Sequence, residues 1–302
     1  MAVHLDARWH TLSTSSPVRA QVATRILHDP RIASLGTIVF CHGLGMGAES
    51  YDALQRHWAQ RGYAVVAPEF SDSLAHLART LPHESIDRSD PTAWMTNERV
   101  VEHALGLMFD TDQWIGRALD ASAVIDGLDE LLGTVPGASP DRPIVAGHSY
   151  GGHTAQLIGG ARIDRGNGLE SFAHESVSAA IPMSPQGSGE RGLTRDSWAA
   201  IDIPWLVISG EHDIAARGQG LEWRREAFDL APAGGRHLAV VRAADHGLGG
   251  IAGPAPIYRG DAEAVLAVTR ATTAFIDAAR SGAAVATDSW WPADERLATE
   301  SK

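Results

Sequence analysis

The chain has 302 residues, of which 44% are hydrophobic and 21% charged, and its formal net charge is −12 at pH 7. These values are typical of a globular protein with a large core, and the acidic balance argues against nucleic acid or an anionic membrane surface as a partner. The only cysteine is Cys41 and the only lysine is Lys302, which excludes an intramolecular disulfide, a cysteine-rich zinc site and any mechanism that needs an internal lysine.

The sequence carries no signal for membrane insertion or export. No apolar run reaches the roughly 18 residues that a membrane span needs. Residues 1–8 contain no continuous apolar stretch of the kind that signal peptides have. We therefore expect a cytoplasmic protein without a membrane span.

Short β-branched runs alternate along the chain with longer amphipathic stretches. The pattern predicts strands at 18–27, 37–41, 63–67, 143–147, 179–183, 205–209 and 238–242. It predicts helices at 50–61, at 111–132, from 151 onward and at 261–279. Strands that are apolar throughout and alternate with helices indicate an α/β fold, with a mostly parallel sheet and helices on both faces.

Two regions fall outside this alternation. Residues 71–110 are too long for a simple connection and contain one helical stretch around 93–108, so we expect an insertion that caps or walls a pocket. Five apolar side chains of this insertion would either line that pocket or only pack the insertion against the rest of the domain: Trp94, Met95, Leu105, Leu107 and Met108. The sequence thus predicts one domain over 1–281 and a frayed tail at 282–302, which Trp290 and Trp291 would dock onto the body.

The strongest chemical motif is the segment Gly147-His148-Ser149-Tyr150-Gly151, which follows one predicted strand and opens a helix. This is the G-x-S-x-G pattern in the strand–turn–helix context that it requires. The glycines remove bulk so that strand and helix approach closely, and the turn exposes the Ser149 hydroxyl. The helix N-terminus adds partial positive charge where an oxyanion would form. We predict that Ser149 is a nucleophile.

A serine nucleophile needs a general base, and in this architecture the chain order is serine, then acid, then histidine. His246 follows the last predicted strand and is the predicted base. Asp213 follows the strand at 205–209 and is the predicted acid, with Glu211 as its rival. Asp245 is assigned no role.

The glycine-rich loop after the strand at 37–41 allows two interpretations. As an oxyanion loop it would contribute the backbone N–H of Leu44, and the residue after the nucleophile, Tyr150, would contribute the other. Alternatively, Gly43, Gly45 and Ala48 fit the dinucleotide fingerprint, with Glu69 at the end of the next strand as the ribose-binding acid. We favour the oxyanion loop, and because no metal-ligand spacing occurs we expect neither a cofactor nor a metal.

Six stretches of this chain resemble the α/β-hydrolase superfamily, and more narrowly the branch that contains platelet-activating-factor acetylhydrolase, chlorophyllase-like and dienelactone-hydrolase-like proteins. They are FCHGLG at 40–45, WIGRALDASAVIDGL at 114–128, GHSYGG at 147–152, MSPQGSGERGLTRDSWAAI at 183–201, PWLVISGEHD at 204–213 and ADHGLGG at 244–250. The resemblance covers most of residues 37–280. It implies the same assignment as above: Ser149 as nucleophile, Asp213 as acid, His246 as base, and Leu44 and Tyr150 as backbone donors.

Residues 71–110 and 162–178 depart from the superfamily pattern. Both border the expected pocket, so the substrate does not carry over with the resemblance. The MSPQG loop at 183–187 leaves two interpretations for Gln186, which would either contact substrate or belong to a structural turn.

The expected activity is hydrolysis of a small-molecule carboxylic ester, with thioester or lactone as further possibilities, through an acyl-enzyme on Ser149. Two alternatives remain open. One is acyl transfer or other non-hydrolytic chemistry in a biosynthetic pathway. The other is a ligand-binding protein of the same fold without turnover.

Overall fold

A computed structural model describes residues 4–87, 89–253, 255, 257–281 and 290–302. The chain is an α/β protein whose centre is a nine-stranded mixed, mostly parallel sheet. The nine strands of this sheet are β1 (Asp6–Ser13), β2 (Gln21–His28), β3 (Gly36–Cys41), β4 (Tyr63–Glu69), β5 (Ile144–His148), β8 (Ala179–Met183), β9 (Trp205–Gly210), β10 (Arg236–Val241) and β11 (Leu297–Ser301), and β6 (Arg162–Asp164) and β7 (Leu169–Ser171) form a separate two-stranded sheet.

The sheet has the order β1-β2-β4-β3-β5-β8-β9-β10-β11. The six strands from β4 to β10 in this order run parallel. The outer strands β1, β2 and β11 pair antiparallel with their neighbours. The carboxyl ends of the parallel strands therefore meet at one edge, which is where ligand sites form in such sheets.

Helices cover both faces of this sheet. They are α1 (Asp52–Gln60), α2 (Leu74–Thr80), α3 (Glu98–Phe109), α4 (Thr111–Asp126), α5 (Leu128–Leu132), α6 (Tyr150–Ile158), α7 (Leu221–Arg224), α8 (Glu226–Asp229) and α9 (Ala262–Ser281), with a 3₁₀ helix at Ala93–Thr96. Successive strand residues alternate between two core clusters: Phe40 belongs to the core under α1 and α9, and Val39 to the core under α4 and α6. The period-2 side-chain geometry of a strand produces this division. The predicted α/β class with a mostly parallel sheet is confirmed.

None of the helices within the described residues combines the length and apolar character required to span a bilayer.

The predicted 111–132 helix is broken into two helices. It ends at Asp126 and resumes at Leu128, and Gly127 stands between the two helices. The buried face of the first helix includes the polar residues Gln113, Arg117 and Asp120. Polar side chains are buried in this way only where they have partners.

Residues 71–110 form a small unit of their own above the sheet edge. Ser73 caps α2 by accepting a hydrogen bond from the His76 N–H, and Asn97 caps α3 by accepting from Arg99 and Val100. Their apolar sides meet in a cluster separate from the two sheet cores: Leu74, Leu77, Trp94, Val100 and Ala104. The insertion is therefore a folded element with its own packing.

The C-terminal residues differ from the predicted frayed tail. Residues 282–289 of that tail lie outside the described residues, but Leu297–Ser301 forms β11 and completes the sheet against β10. Trp290 and Trp291 stack on each other with ring centroids 4.1 Å apart. The Trp290 ring also contacts Phe275 of α9 at 5.5 Å, so this segment is anchored to the core as expected of the two tryptophans.

Replacing Trp290 with alanine should lower the free energy of unfolding by about 2 kcal/mol, because it removes a half-buried indole packed on two aromatic rings. Chemical denaturation measures the change. Trp9→Ala is the matched control, since Trp9 is 50% exposed and should cost less than about 1 kcal/mol. Equal losses in both variants would contradict the anchoring role.

Candidate active site

Ser149 occupies a tight turn between β5 and α6. Its backbone lies in the left-handed region, with φ of 56° and ψ of −117°, which a non-glycine residue adopts only under strain. The Ser149 N–H donates to the Met183 carbonyl at 2.9 Å. This bond ties the turn to the end of the neighbouring strand β8, so the surrounding sheet holds the strained conformation.

Two glycines make the turn possible by letting backbone atoms approach. A Cβ at Gly147 would lie 2.1 Å from the Gly151 carbonyl oxygen, and one at Gly151 would lie 2.0 Å from the Cys41 carbonyl oxygen. Both distances are far below van der Waals contact, and both involve backbone atoms that have no rotamer to change. Cys41 at the end of β3, the turn, and the start of α6 are therefore locked together.

The structure brings Ser149, His246 and Asp213 together in one hydrogen-bonded chain. The Ser149 Oγ lies 2.8 Å from His246 Nε2. The His246 Nδ1 lies 2.8 Å from Asp213 Oδ1. Asp213 follows β9 and His246 follows β10, so three strand ends deliver the three side chains to one edge of the sheet.

Asp213 is completely buried and has two further polar neighbours. Ser209 Oγ donates to its Oδ2 at 3.1 Å, and Arg224 Nε donates to its Oδ1 at 3.1 Å. Burial opposes ionisation of this carboxyl, but His246 and Arg224 outweigh it and hold its pKa well below the usual range. Asp213 is therefore a carboxylate, and the His246 Nδ1 must donate its proton to it. That leaves Nε2 as the acceptor for the Ser149 hydroxyl.

Glu211, the rival acid, is occupied elsewhere. It is exposed, and its Oε2 accepts a hydrogen bond from the Ala243 N–H at 2.8 Å. This contact fastens the turn after β10.

His148 connects His246 to the glycine-rich loop through hydrogen bonds. Its Nε2 lies 2.8 Å from the His246 carbonyl oxygen, and its Nδ1 lies 2.9 Å from the Tyr51 hydroxyl. Because a carbonyl only accepts, Nε2 carries the proton and Tyr51 donates to Nδ1. Burial lowers the pKa of His148 to about 3, so it is neutral. The Tyr51 oxygen in turn accepts from the Gly43 N–H at 3.2 Å.

The loop at 42–47 lies directly beside Ser149. A Cβ on Gly43 would be 3.5 Å from the Ser149 Cβ. Among the described residues, no hydrogen-bond acceptor faces the backbone N–H of Leu44 or that of Tyr150. These are the two groups that the sequence predicted as oxyanion donors, and their capacity to donate a hydrogen bond is unused within the described residues.

A buried ion pair supports this loop from below. Arg117 Nη1 binds both carboxylate oxygens of Asp72 at 2.6 and 2.7 Å, and its Nη2 donates to the His42 carbonyl. The Asp72 carbonyl accepts from the Gly45 N–H at 3.1 Å. The guanidinium lies between the rings of Phe70 and Tyr150, 3.9 and 4.4 Å from their centroids.

The dinucleotide alternative fits this geometry poorly. Glu69 Oε2 accepts from the Ala48 N–H at 2.7 Å, so the acid that would bind a ribose fastens its own loop. The loop does not open a helix either, since α1 begins only at Asp52. Within the described ranges, no three His, Cys, Asp or Glu side chains are grouped so as to hold a metal ion.

Ser149 and His246 open onto a cavity of about 430 Å³. The insertion contributes part of its wall through Trp94, Met95, Leu105 and Met108, four of the five residues nominated from the sequence. Leu107, the fifth, packs instead against the insertion's own cluster. Gln186 also lines the cavity and is 4% exposed.

Comparison with protein-family models and with curated proteins found no match to this chain.

The sequence analysis did not identify the charged residues that position the site, which are Asp72, Arg117 and Arg224. One signal was present in the sequence, because Arg117 is the only basic residue of the predicted 111–132 helix and lies between the small residues Gly116 and Ala118. The others lie in loops or short helices, and their partners are distant in sequence.

A methyl group at Gly151 should disrupt the junction of β3, β5 and α6. We expect Gly151→Ala to lower the free energy of unfolding by about 3 kcal/mol, because the added Cβ meets backbone atoms. Gly106→Ala is the control: its Cβ would meet nothing within 4 Å on α3, so helix propensity should stabilise the fold by up to about 1 kcal/mol. Thermal and chemical unfolding measure both, and a tolerated Gly151→Ala would refute the close-packed junction.

Proposed function

We propose that this protein is a serine hydrolase with the α/β-hydrolase fold that cleaves carboxylic esters. One observation carries the proposal: a strained serine, a histidine and a buried carboxylate form a continuous hydrogen-bonded chain that opens onto a largely apolar cavity. The two unused N–H groups beside the serine hydroxyl support the same function.

In the proposed mechanism, Ser149 Oγ attacks the ester carbonyl carbon and its proton passes to His246 Nε2. The carbonyl oxygen becomes an oxyanion, held by the N–H groups of Leu44 and Tyr150. The carboxylate of Asp213 stabilises the imidazolium and fixes its orientation. When the tetrahedral intermediate collapses, the C–O bond to the alcohol breaks and His246 returns the proton to the leaving alkoxide.

Hydrolysis of the acyl-enzyme repeats these steps with water in place of Ser149. His246 removes a proton from water, hydroxide adds to the acyl carbon, and the bond to Ser149 Oγ breaks as the serine regains a proton. The products are a carboxylic acid and an alcohol, and the enzyme returns to its starting state.

Ser149→Ala should reduce hydrolysis of p-nitrophenyl butyrate to background, and His246→Ala should reduce kcat by about 10⁵-fold, because the chain acts as a unit. Circular dichroism and thermal unfolding check that both variants fold. A fluorophosphonate should label wild type at Ser149 and leave Ser149→Ala unlabelled. Undiminished turnover by Ser149→Ala contradicts the proposal, and a wild type that neither turns over esters nor labels favours the ligand-binding alternative.

Competing acceptors distinguish hydrolysis from acyl transfer. Turnover in the presence of alcohols and amines should yield mainly the free acid. Acyl transfer to the added acceptor as the main reaction would favour the biosynthetic alternative.

The two acidic residues after β9 should differ sharply on substitution. Asp213→Asn should lower kcat by about 10³- to 10⁴-fold, because an amide neither holds the His246 tautomer nor stabilises its cation. Glu211→Gln, a matched exposed substitution, should change kcat less than about twofold and affect only the turn at Ala243. A large loss in Glu211→Gln with little in Asp213→Asn would reverse the assignment of the acid.

A further inference from the structure

Arg191 is a buried cation on the cavity wall, and none of the described residues accepts a hydrogen bond from its guanidinium. It lies in the loop after β8, is 8% exposed and lines the same cavity as Ser149. Its Nε is buried and unpaired. No side chain or carbonyl of the described residues accepts a hydrogen bond from its guanidinium, although buried arginines are normally paired.

The loop around Arg191 is held firmly. Arg191 has a φ of 46°, a strained value for a non-glycine residue. The His153 Nε2 lies 3.2 Å from its carbonyl oxygen, and the Gly189 N–H donates to the Leu193 carbonyl at 2.7 Å. The Gly192 carbonyl accepts from the Asp164 N–H at 2.8 Å. The backbone therefore fixes Arg191 in place without any help from its charged group.

The nearest carboxylate does not neutralise Arg191. Glu190 Oε2 lies 3.9 Å from Arg191 Nη1, beyond hydrogen-bond distance. The other oxygen of Glu190 already accepts from Arg217 at 2.8 Å and from Gln219 at 3.3 Å. Two guanidinium groups thus share one carboxylate, and this side of the cavity keeps one excess positive charge within a chain whose net charge is −12.

The surroundings of Arg191 suit an anionic guest. Burial lowers the pKa of its guanidinium to about 10, so it stays charged at neutral pH. The Gln186 side chain lines the same cavity, and its buried Oε1 has no partner among the described residues. The side-chain amide therefore keeps its hydrogen-bonding capacity, which includes two N–H donors, for a guest. The ring of Phe109 lies 5.3 Å from the guanidinium carbon and adds an apolar wall.

We propose that Arg191, assisted by Gln186, binds a carboxylate on the substrate, so that the preferred substrates are esters that carry a second, anionic group. The proposal rests on the proposed hydrolase function for the position of the cleaved bond. Arginine is suited to this role because its planar fork matches the two oxygens of a carboxylate. Binding of a carboxylate would also account for the unpaired charge of Arg191 and for the strained backbone of its loop.

Matched pairs of esters test this specificity. The monomethyl and dimethyl esters of succinate, glutarate and adipate differ only in a free carboxylate on the acyl part, and 4-acetoxybenzoate and phenyl acetate differ in one on the alcohol part. We expect wild type to prefer the acidic member of at least one pair in kcat/KM. Arg191→Gln should reduce that preference by about 10- to 100-fold while changing the neutral ester little. No preference in any pair, or a preference that Arg191→Gln leaves intact, overturns the proposal.

Arg195→Gln is the matched control, because Arg195 follows on the same loop, is 71% exposed in its side chain and lies outside the cavity. It should leave the preference unchanged. A purely structural Arg191 would make Arg191→Gln unfold at a lower temperature with both esters affected alike. A binding role predicts an unchanged or higher unfolding temperature, since the substitution removes an unpaired buried charge.

Binding to an inactive variant separates this proposal from the hydrolase function. In Ser149→Ala, benzoate should raise the unfolding temperature in a concentration-dependent manner and benzamide should not. Adding Arg191→Gln to that variant should abolish the benzoate effect. A benzoate shift with no ester turnover would retain the anion site and refute only the proposed chemistry. The absence of any benzoate shift in Ser149→Ala would overturn the anion site itself.

Discussion

The close approach of backbone atoms at Gly147, Gly151 and Cys41 is the constraint on which the rest of the site depends. It joins the end of β3, the end of β5 and the start of α6 at a single point. The position of the hydroxyl of Ser149 and that of the glycine-rich loop are then set together, because neither segment moves without the other. A site built on such contacts is preorganised by packing, so no binding energy is spent in assembling it.

Buried ion pairs hold the parts of the site that these backbone contacts do not reach. The ion pair of Arg117 with Asp72 holds the glycine-rich loop at 42–47. The ion pair with Arg224 holds the Asp213 carboxylate in position. Buried pairs of this kind contribute little net stability, since desolvation offsets their attraction, but breaking one leaves an expensive unpaired charge. They therefore act as positional locks. Arg191 differs from these residues, because none of the described residues accepts a hydrogen bond from its guanidinium and its charge keeps the capacity to bind an anionic group.

Local sequence signals were sufficient for seven of the nine strands of the large sheet, for the strand–turn–helix at Ser149 and for the placement of Asp213 and His246 just past strand ends. Each is encoded in contiguous residues: an apolar run, a glycine pattern, or a side chain just past a strand. The features that the sequence did not predict depend on partners that are distant along the chain. Arg117 binds Asp72 across 45 residues of sequence, and no residue next to Arg117 in the chain indicates that partner. The edge strands β1 and β11 were missed because only pairing with a neighbour defines them.

The position of Arg224 shows how these long-range partners shape the chemistry. Its Nη2 lies 3.2 Å from His246 Nδ1 while its Nε binds Asp213. A cation so close opposes positive charge on the imidazole, the state that proton transfer from Ser149 would create. The same cation keeps Asp213 ionised despite complete burial, and the carboxylate is the closer group to His246 at 2.8 Å. Arg224 therefore acts mainly on the acid, which it keeps ionised and aligned with the imidazole of His246.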